Sequence, residues 1–349
     1  MPLPLVFENP SLLIEYMEKN VSPDSVTLLI GEFDLFHAGH QPLLAAAKEN
    51  CETLLIGLFP DLEFNKKYGN DRPFVPFLER AEMLLGTRYV DLVIDLSCGI
   101  DDLLKQFKPG RILAPSVSHA KHTPVQHLFE RIERSSLQFI ESTMDEMRAT
   151  EFAIARISEK LQISNPSKSF LNNQQETVLE WVKPKSLPIL ESDRLSLFIQ
   201  ECHERDEFLV TSNGSFDILH PGHLRYLRKA KALGGTFLVL VNDDESIRHS
   251  KGTQRPIFRQ EERLTALAAL ECVDYVVPFS GDNPLYLIDQ IKPDIHVKGG
   301  SFEETRVAEE KRLVEYHGGR FQCFDLIENF STTKILQTFI DLYKKKESI

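Results

Sequence analysis

Two histidines three residues apart, His220 and His223, close the segment Gly214-Ser215-Phe216-Asp217-Ile218-Leu219-His220-Pro221-Gly222-His223. The LRYLRKAKAL run that follows has helical apolar spacing, which predicts that a helix opens at this point. Residues three apart share one helix face. Pro221 suits a first helical turn, where its missing N–H costs nothing. Gly214 permits a tight turn close to a ligand, and Gly222 leaves the helix start bare, so that phosphate oxygens can approach. Two imidazoles at a helix N-terminus are the geometry expected for a triphosphate. Further cations and hydroxyls lie downstream: Lys251 in the KGTQRP loop, Lys298 before two glycines, and Ser331-Thr332-Thr333-Lys334 at a predicted helix start. Each has a plain alternative. A charged loop is usually solvated, a lysine beside glycines usually marks a turn, and Ser331 is a good N-cap whatever it binds. Predicted together at one rim, they describe a phosphate pocket.

The elements that must position them alternate. TFLVLVN (236–242), DYVVPF (274–279) and DIHVKG (294–299) are short β-branched runs, consistent with buried parallel strands; FLVTSN (208–213) begins the pattern and RFQCFDL (320–326) is its last strand. Helical spacing occupies Arg259–Cys272, Pro284–Ile291 and a closing stretch from Ser331 to Lys345. Alternating strands and helices imply right-handed crossovers and a doubly wound parallel sheet, which binds ligands beyond the carboxyl ends of its strands.

The chain is also a duplication. GEFDLFHAGH beginning at Gly31 lies 183 positions before GSFDILHPGH beginning at Gly214, pairing His37 with His220 and His40 with His223. The same offset carries Asp34 onto Asp217, Arg72-Pro73 onto Arg255-Pro256, Arg80 onto Arg263, and Val90-Asp91 onto Val273-Asp274. Lys108-Pro109 meets Lys292-Pro293 with one residue of slippage. First-half strands are expected near 26–30, 53–59, 90–95, 111–114 and 137–142, and a final helix near 145–161. The expected fold is therefore α/β, with two tandem doubly wound, Rossmann-like parallel-sheet domains. The first domain is 1–163 and the second 191–349. The polar 164–190 stretch, with Trp181 as the only tryptophan, forms the linker.

The composition narrows the class. A net charge of −12, with mixed signs, argues against nucleic acid as partner, and it leaves room for a local cationic pocket. Five scattered cysteines without a C-x-x-C pair point to a reducing cytoplasm. The start lacks the pattern of a signal peptide, and no apolar run reaches the ~20 residues of a membrane span. Nothing in the sequence specifies an oligomer.

The H-x-G-H element, following a predicted strand and opening a helix, resembles the signature of the cytidylyltransferase-like nucleotidyltransferases. NGSFDILHPGH, KGTQRP, EERLTALAALECVDYVVPF, PDIHVKGGSF and STTKIL together resemble the adenylyltransferases that make ADP-heptose, over most of 208–340. Phe330 before Ser331 and Ser301 after V-K-G-G depart from that pattern and bear on the acceptor.

The resemblance implies transfer of AMP from ATP to a sugar 1-phosphate, heptose 1-phosphate favoured, with release of pyrophosphate. It gives His220, His223, Lys251, Lys298 and Arg263 catalytic roles. Arg263 is expected to bridge to phosphate or to hold Asp217. Nucleotide binding falls to Gly214, Ser215, Phe216, Asp217, Gly222, Ser331, Thr332 and Thr333. Mg2+ is expected mainly through nucleotide phosphates, because no acidic cage is visible.

Two other readings stay open. One is a cytidylyltransferase that uses CTP on glycerol 3-phosphate or phosphoethanolamine, and the other is a non-catalytic nucleotide-binding or scaffold protein. The first half keeps Asp34, His37, His40 and Arg80, but it has LAPSVSHA (113–120) where the second has V-K-G-G. Where the second has Ser331-Thr332-Thr333-Lys334, it has Ser142-Thr143-Met144-Asp145, followed by Glu146. It reads as a degenerate copy.

Overall fold

The computed structural model describes residues 5–49, 51–68, 72–115, 137–140, 146–162, 187–299, 304–325 and 332–347. It divides into two compact units, one drawn from residues 1–155 and the other from 183–349 together with 156–164.

The first unit runs β1 (Val6–Phe7), α1 (Pro10–Asn20), β2 (Val26–Gly31), α2 (His40–Lys48), β3 (Thr53–Leu58), α3 (Asp61–Tyr68), α4 (Phe77–Leu85), β4 (Leu92–Asp95), α5 (Ile100–Gln106), β5 (Arg111–Pro115), β6 (Leu137–Ile140) and the start of α6 (Glu146–Leu161), whose residues from 156 onward belong to the second unit. Its sheet is parallel throughout, in the order β1-β4-β3-β2-β5-β6. Every residue of β2 and β3 is buried, so both faces are covered and the strands read as unbroken apolar runs. Phe7, Leu13, Met17, Leu28, Leu55, Ile94 and Leu103 meet in one core that joins α1 and α5 to the sheet.

The second unit runs α7 (Ser192–Glu204), β7 (Leu209–Gly214), α8 (Pro221–Lys231), β8 (Thr236–Asn242), α9 (Asp244–Lys251), α10 (Gln260–Ala268), β9 (Tyr275–Phe279), α11 (Leu285–Ile291), β10 (Ile295–Gly299), α12 (Glu304–Tyr316), β11 (Arg320–Phe324) and α13 (Thr332–Glu347). Its five strands are also all parallel, in the order β11-β10-β7-β8-β9. Leu195 and Ile199 of α7 pack with Leu209, Leu238, Val277 and Leu287. Strand β7 is bonded to β8 on one side and to β10 on the other. The winding reverses there, and such a switch point opens a crevice at the carboxyl ends of the strands.

The two units are thus tandem doubly wound domains related by duplication, as the repeat predicts. The predicted strands are present within two residues at each end. Elements that were not predicted include the two-residue edge strand β1 and helices α3, α9 and α12; α9 ends at Lys251, which was expected in a loop. The expected linker falls mostly, and Trp181 wholly, outside the described residues.

Half-buried ion pairs repeat with the sequence offset. Lys48 pairs with Asp91, and Lys231 with Asp274. Asp91 Oδ2 accepts the Leu54 N–H at 2.7 Å, and Asp274 Oδ2 accepts the Phe237 N–H at 2.7 Å.

Candidate functional site

Strand β7 ends at Gly214, and the chain turns sharply. Phe216 has a left-handed φ of 45°, a conformation that a bulky residue holds only under constraint. A Cβ at Gly214 would lie 3.0 Å from the Phe216 ring, so glycine is needed where the ring folds back. His220 then caps α8 with Pro221 at its start, and its Nδ1 accepts the His223 backbone N–H at 3.3 Å. That bond leaves the His220 ring proton on Nε2. The two rings stack with centroids 3.8 Å apart. Burial pushes His220 down to about 4. Burial and the neighbouring His220 hold His223 well below the ordinary imidazole range. Both rings are therefore neutral near pH 7, so each carries a single ring proton and supplies no cationic charge. His223 Nδ1 is buried and lacks a hydrogen-bond partner, the condition of a polar atom placed for a ligand or water.

A cleft of about 820 Å³ opens over these rings at the carboxyl edge of the sheet. The expected residues Gly214, Ser215, Phe216, Gly222 and both histidines line it from β7 and α8. Lys251, at the end of α9, reaches it from the β8 side, and its ammonium donates to Ser215 Oγ at 2.6 Å. Lys298 and Gly299 reach it from β10, and Thr332 and Thr333 from the start of α13. Thr332 Oγ1 lies 3.4 Å from the Ile218 carbonyl, which ties that helix start to the histidine loop. Ser331 lies outside the described residues.

Two expected ligand residues are placed elsewhere. The Arg263 side chain is fully buried and does not line the cleft. It donates to the carbonyls of Phe258 (3.1 Å), Ser215 (2.7 Å) and Asn242 (2.8 Å), and to the Asp244 carboxylate at 2.8 Å. With its donors spent on the backbone it reaches no phosphate, and it does not hold Asp217. That residue, 3% exposed, is held by Arg255 Nε at 2.5 Å and by the N–H groups of Ile257 and Phe258. Arg263 and Asp217 therefore shape the loop and do not contact the cleft's contents.

Lys298 brings a partner that the sequence analysis missed. Its ammonium lies 2.9 Å from the Glu310 carboxylate on α12, and both side chains are buried at the cleft wall. His296 Nε2 lies 3.7 Å from the same carboxylate. Burial opposes ionisation of Glu310, but bonding from His296 and the Lys298 charge outweigh it and lower its pKa. A signal for Glu310 was present: with Val307 and Val314 it forms the buried stripe of an otherwise charged helix.

The first unit keeps the scaffold of this site and changes its charge. Asp34 accepts from Arg72 Nε (2.9 Å) and from the N–H groups of Phe74 and Val75. Arg80 donates to Val75, Glu32 and Phe59 carbonyls and to Asp61. Each partner lies on or within one residue of the offset that relates the halves. His40 is fully buried beneath Phe33 and Phe36, and desolvation pushes it down to about 3. His37 sits 4.4 Å from it, ring to ring. The place of Ser215 is taken by Glu32 and that of Lys251 by Tyr68, whose hydroxyl donates to the Glu32 carboxylate at 3.0 Å. By strand register Ala114 stands where β10 carries Lys298. Most of LAPSVSHA, and Asp145, lie outside the described residues.

Comparison with known proteins agrees with this arrangement. The pattern described as cytidylyltransferase-like matches residues 28–152 and 212–338, once in each unit. The C-terminal region is homologous to curated relatives named bifunctional protein HldE. The one from Syntrophotalea carbinolica is 47% identical over 141 residues, 40% of this chain and 29% of its own length. The one from Pelobacter propionicus is 41% identical over 151 residues, 43% of this chain and 31% of its own. The chain thus spans about a third of the length of the curated relatives it matches. Among the described residues no helix is long and apolar enough to cross a membrane.

Proposed function

The chain belongs to the cytidylyltransferase-like family, and from that premise we propose that its C-terminal unit transfers AMP from ATP to a sugar 1-phosphate, heptose 1-phosphate favoured, with release of pyrophosphate. The observation that carries this reading is the convergence of His220, His223, Lys251 and Thr332–Thr333 on one cleft. A phosphate oxygen of the acceptor attacks the α-phosphorus of ATP. A new P–O bond forms as the bond to the pyrophosphate oxygen breaks, and pyrophosphate leaves in line. The attacking phosphate is already anionic, so no general base is needed, and the catalyst's work is positioning and charge stabilisation.

The neutral imidazoles hold the triphosphate and the α-phosphoryl group, with His220 donating from Nε2. Lys251 supplies charge, and its bond to Ser215 holds it at the cleft mouth. The threonines and the α13 N-terminus receive the leaving pyrophosphate. Among the described residues no group of three or more His, Cys, Asp or Glu side chains is placed to hold a metal ion. Mg2+ would arrive with the nucleotide and would supply charge that neutralises its phosphates. We further propose that the N-terminal unit, with Glu32 and Tyr68 in place of Ser215 and Lys251, performs no transfer.

The test is pyrophosphate release with ATP or CTP against heptose 1-phosphate, glycerol 3-phosphate and phosphoethanolamine, with His220→Ala as control. Release with ATP and the heptose phosphate, lost in the control, is expected. Release only with CTP would move the assignment to a cytidylyltransferase, and no release with any pair would leave a binding protein.

A further inference from the structure

We propose that the Lys298–Glu310 pair reads hydroxyl groups of a sugar ring, so that this end of the cleft is a sugar subsite and not a phosphate subsite. The inference rests on the nucleotidyltransferase reading of the same cleft and assigns its two ends. Sheet order separates them. Lys251 approaches from the β8 side of β7, whereas Lys298, Glu310 and Asp325 stand on the β10–β11 side.

Charge decides what each end can hold. A phosphate presents only acceptor oxygens and negative charge. At Lys298 it would meet a carboxylate 2.9 Å from the ammonium that should attract it, and the attraction is largely cancelled. A sugar hydroxyl both donates and accepts, and it is matched by an ammonium donor beside a carboxylate acceptor. The pair is also built to stay. Lys298 is 8% and Glu310 7% exposed, and the carboxylate is backed by His296. That ring bonds Thr211 Oγ1 at 2.7 Å and approaches Asn213 Oδ1 at 3.2 Å. The floor beside it is aromatic. Gly299 lies against the Tyr226 ring, where a Cβ would come within 2.9 Å, and Tyr226 in turn meets Phe324 edge-on. Its hydroxyl donates to the Val297 carbonyl at 3.0 Å, which fixes the ring. A polar pair over an aromatic floor suits a ring with hydroxyls on its rim and C–H groups on its face. The expected phosphate role of Lys298 is thereby reassigned, and Glu310 becomes a specificity residue.

The experiment compares wild type, Lys298→Met, Glu310→Gln and the double variant by pyrophosphate release. Inorganic phosphate and inorganic pyrophosphate serve as competitive probes that carry charge but no ring. Each single variant should raise the KM of one sugar-bearing substrate about tenfold, the scale of a lost hydrogen bond to a charged group. The double variant should be little worse than either single one, and the inhibition constants of both probes should stay within about twofold. A rise in the KM of the sugar phosphate identifies the acceptor's ring, and a rise in that of ATP identifies the ribose. The double variant removes both charges together and so avoids the lone buried charge that could unfold a single variant; melting temperature reports on this. The proposal is overturned if Lys298→Met weakens either inorganic probe tenfold, if Glu310→Gln tightens one, or if neither KM moves. A wild-type protein that releases no pyrophosphate with any pair would instead remove the parent reading.

Discussion

Tyr68 and Lys251 stand at equivalent points of the two halves, each the last residue of an eight-residue helix. Lys251 donates to a serine hydroxyl at the mouth of a cleft. Tyr68 donates to Glu32, and the Arg72 guanidinium lies 4.6 Å above its ring. Around them the frameworks correspond bond for bond: an aspartate gripped by an arginine and two backbone N–H groups, and a second arginine gathering three carbonyls. The difference separates two kinds of polar residue that look alike in sequence. Asp34 and Arg80 hold the loop in the first unit, and Asp217 and Arg263 hold it in the second. Ser215, Lys251 and Lys298 line the cleft, and at their places the first unit has Glu32, Tyr68 and Ala114.

The largest effects should fall on what the halves share. Arg80→Met and Arg263→Met should each cost their own unit about 3–5 kcal/mol, because each strands a buried network. Calorimetry should show a different transition lowered in each case, and a single common loss would break the comparison. Next, His223→Ala should reduce kcat on the order of a hundredfold or more, about 3 kcal/mol of transition-state stabilisation, without lowering the melting temperature to match. His40→Ala should leave pyrophosphate release unchanged, and equal losses from both would make the N-terminal histidine a participant.

Copying the first unit's residue into the second, Lys251→Tyr, should raise the KM of ATP roughly 30-fold, about 2 kcal/mol for a lost charged hydrogen bond. Steady-state kinetics would check this, and an unchanged KM would deny the lysine its role. The smallest effect is on pH dependence. Folding lowers His220 from 6.5 to about 4 and His40 to about 3, so below 6.5 the unfolded chain binds more protons than the folded one. Stability should therefore be full above about pH 6.5 and decline as pH falls toward 4, with the N-terminal unit still losing toward 3. Melting curves across that range should show both declines, and His40→Asn should flatten the one in the N-terminal unit.

Much of this was legible in the residues. TFLVLVN is apolar on both faces because helices cover both sides of β8, and its predicted bounds are those observed. The histidine loop could be placed because Pro221 and Gly222 mark a helix start. Helix α12 was missed because ETRVAEEKRLVEY is dominated by charge; among its residues whose burial is described, Val307, Glu310 and Val314 are the buried ones. Glu310 was hidden with it as one of two adjacent glutamates. Arg263 was misread as a ligand because an arginine near a phosphate site suggests phosphate, whereas its partners are carbonyl oxygens that leave no trace in sequence. The exchange of Lys251 for Tyr68 was readable at the duplication offset of 183.

The Arg263 guanidinium draws its carbonyls from three separate places: Ser215 past the end of β7, Asn242 at the end of β8 and Phe258 before α10. A pull on any one of these is shared with the other two through a single rigid planar group. The histidine loop should therefore respond as one stiff piece when a nucleotide docks, and little ordering entropy remains to be lost at that moment.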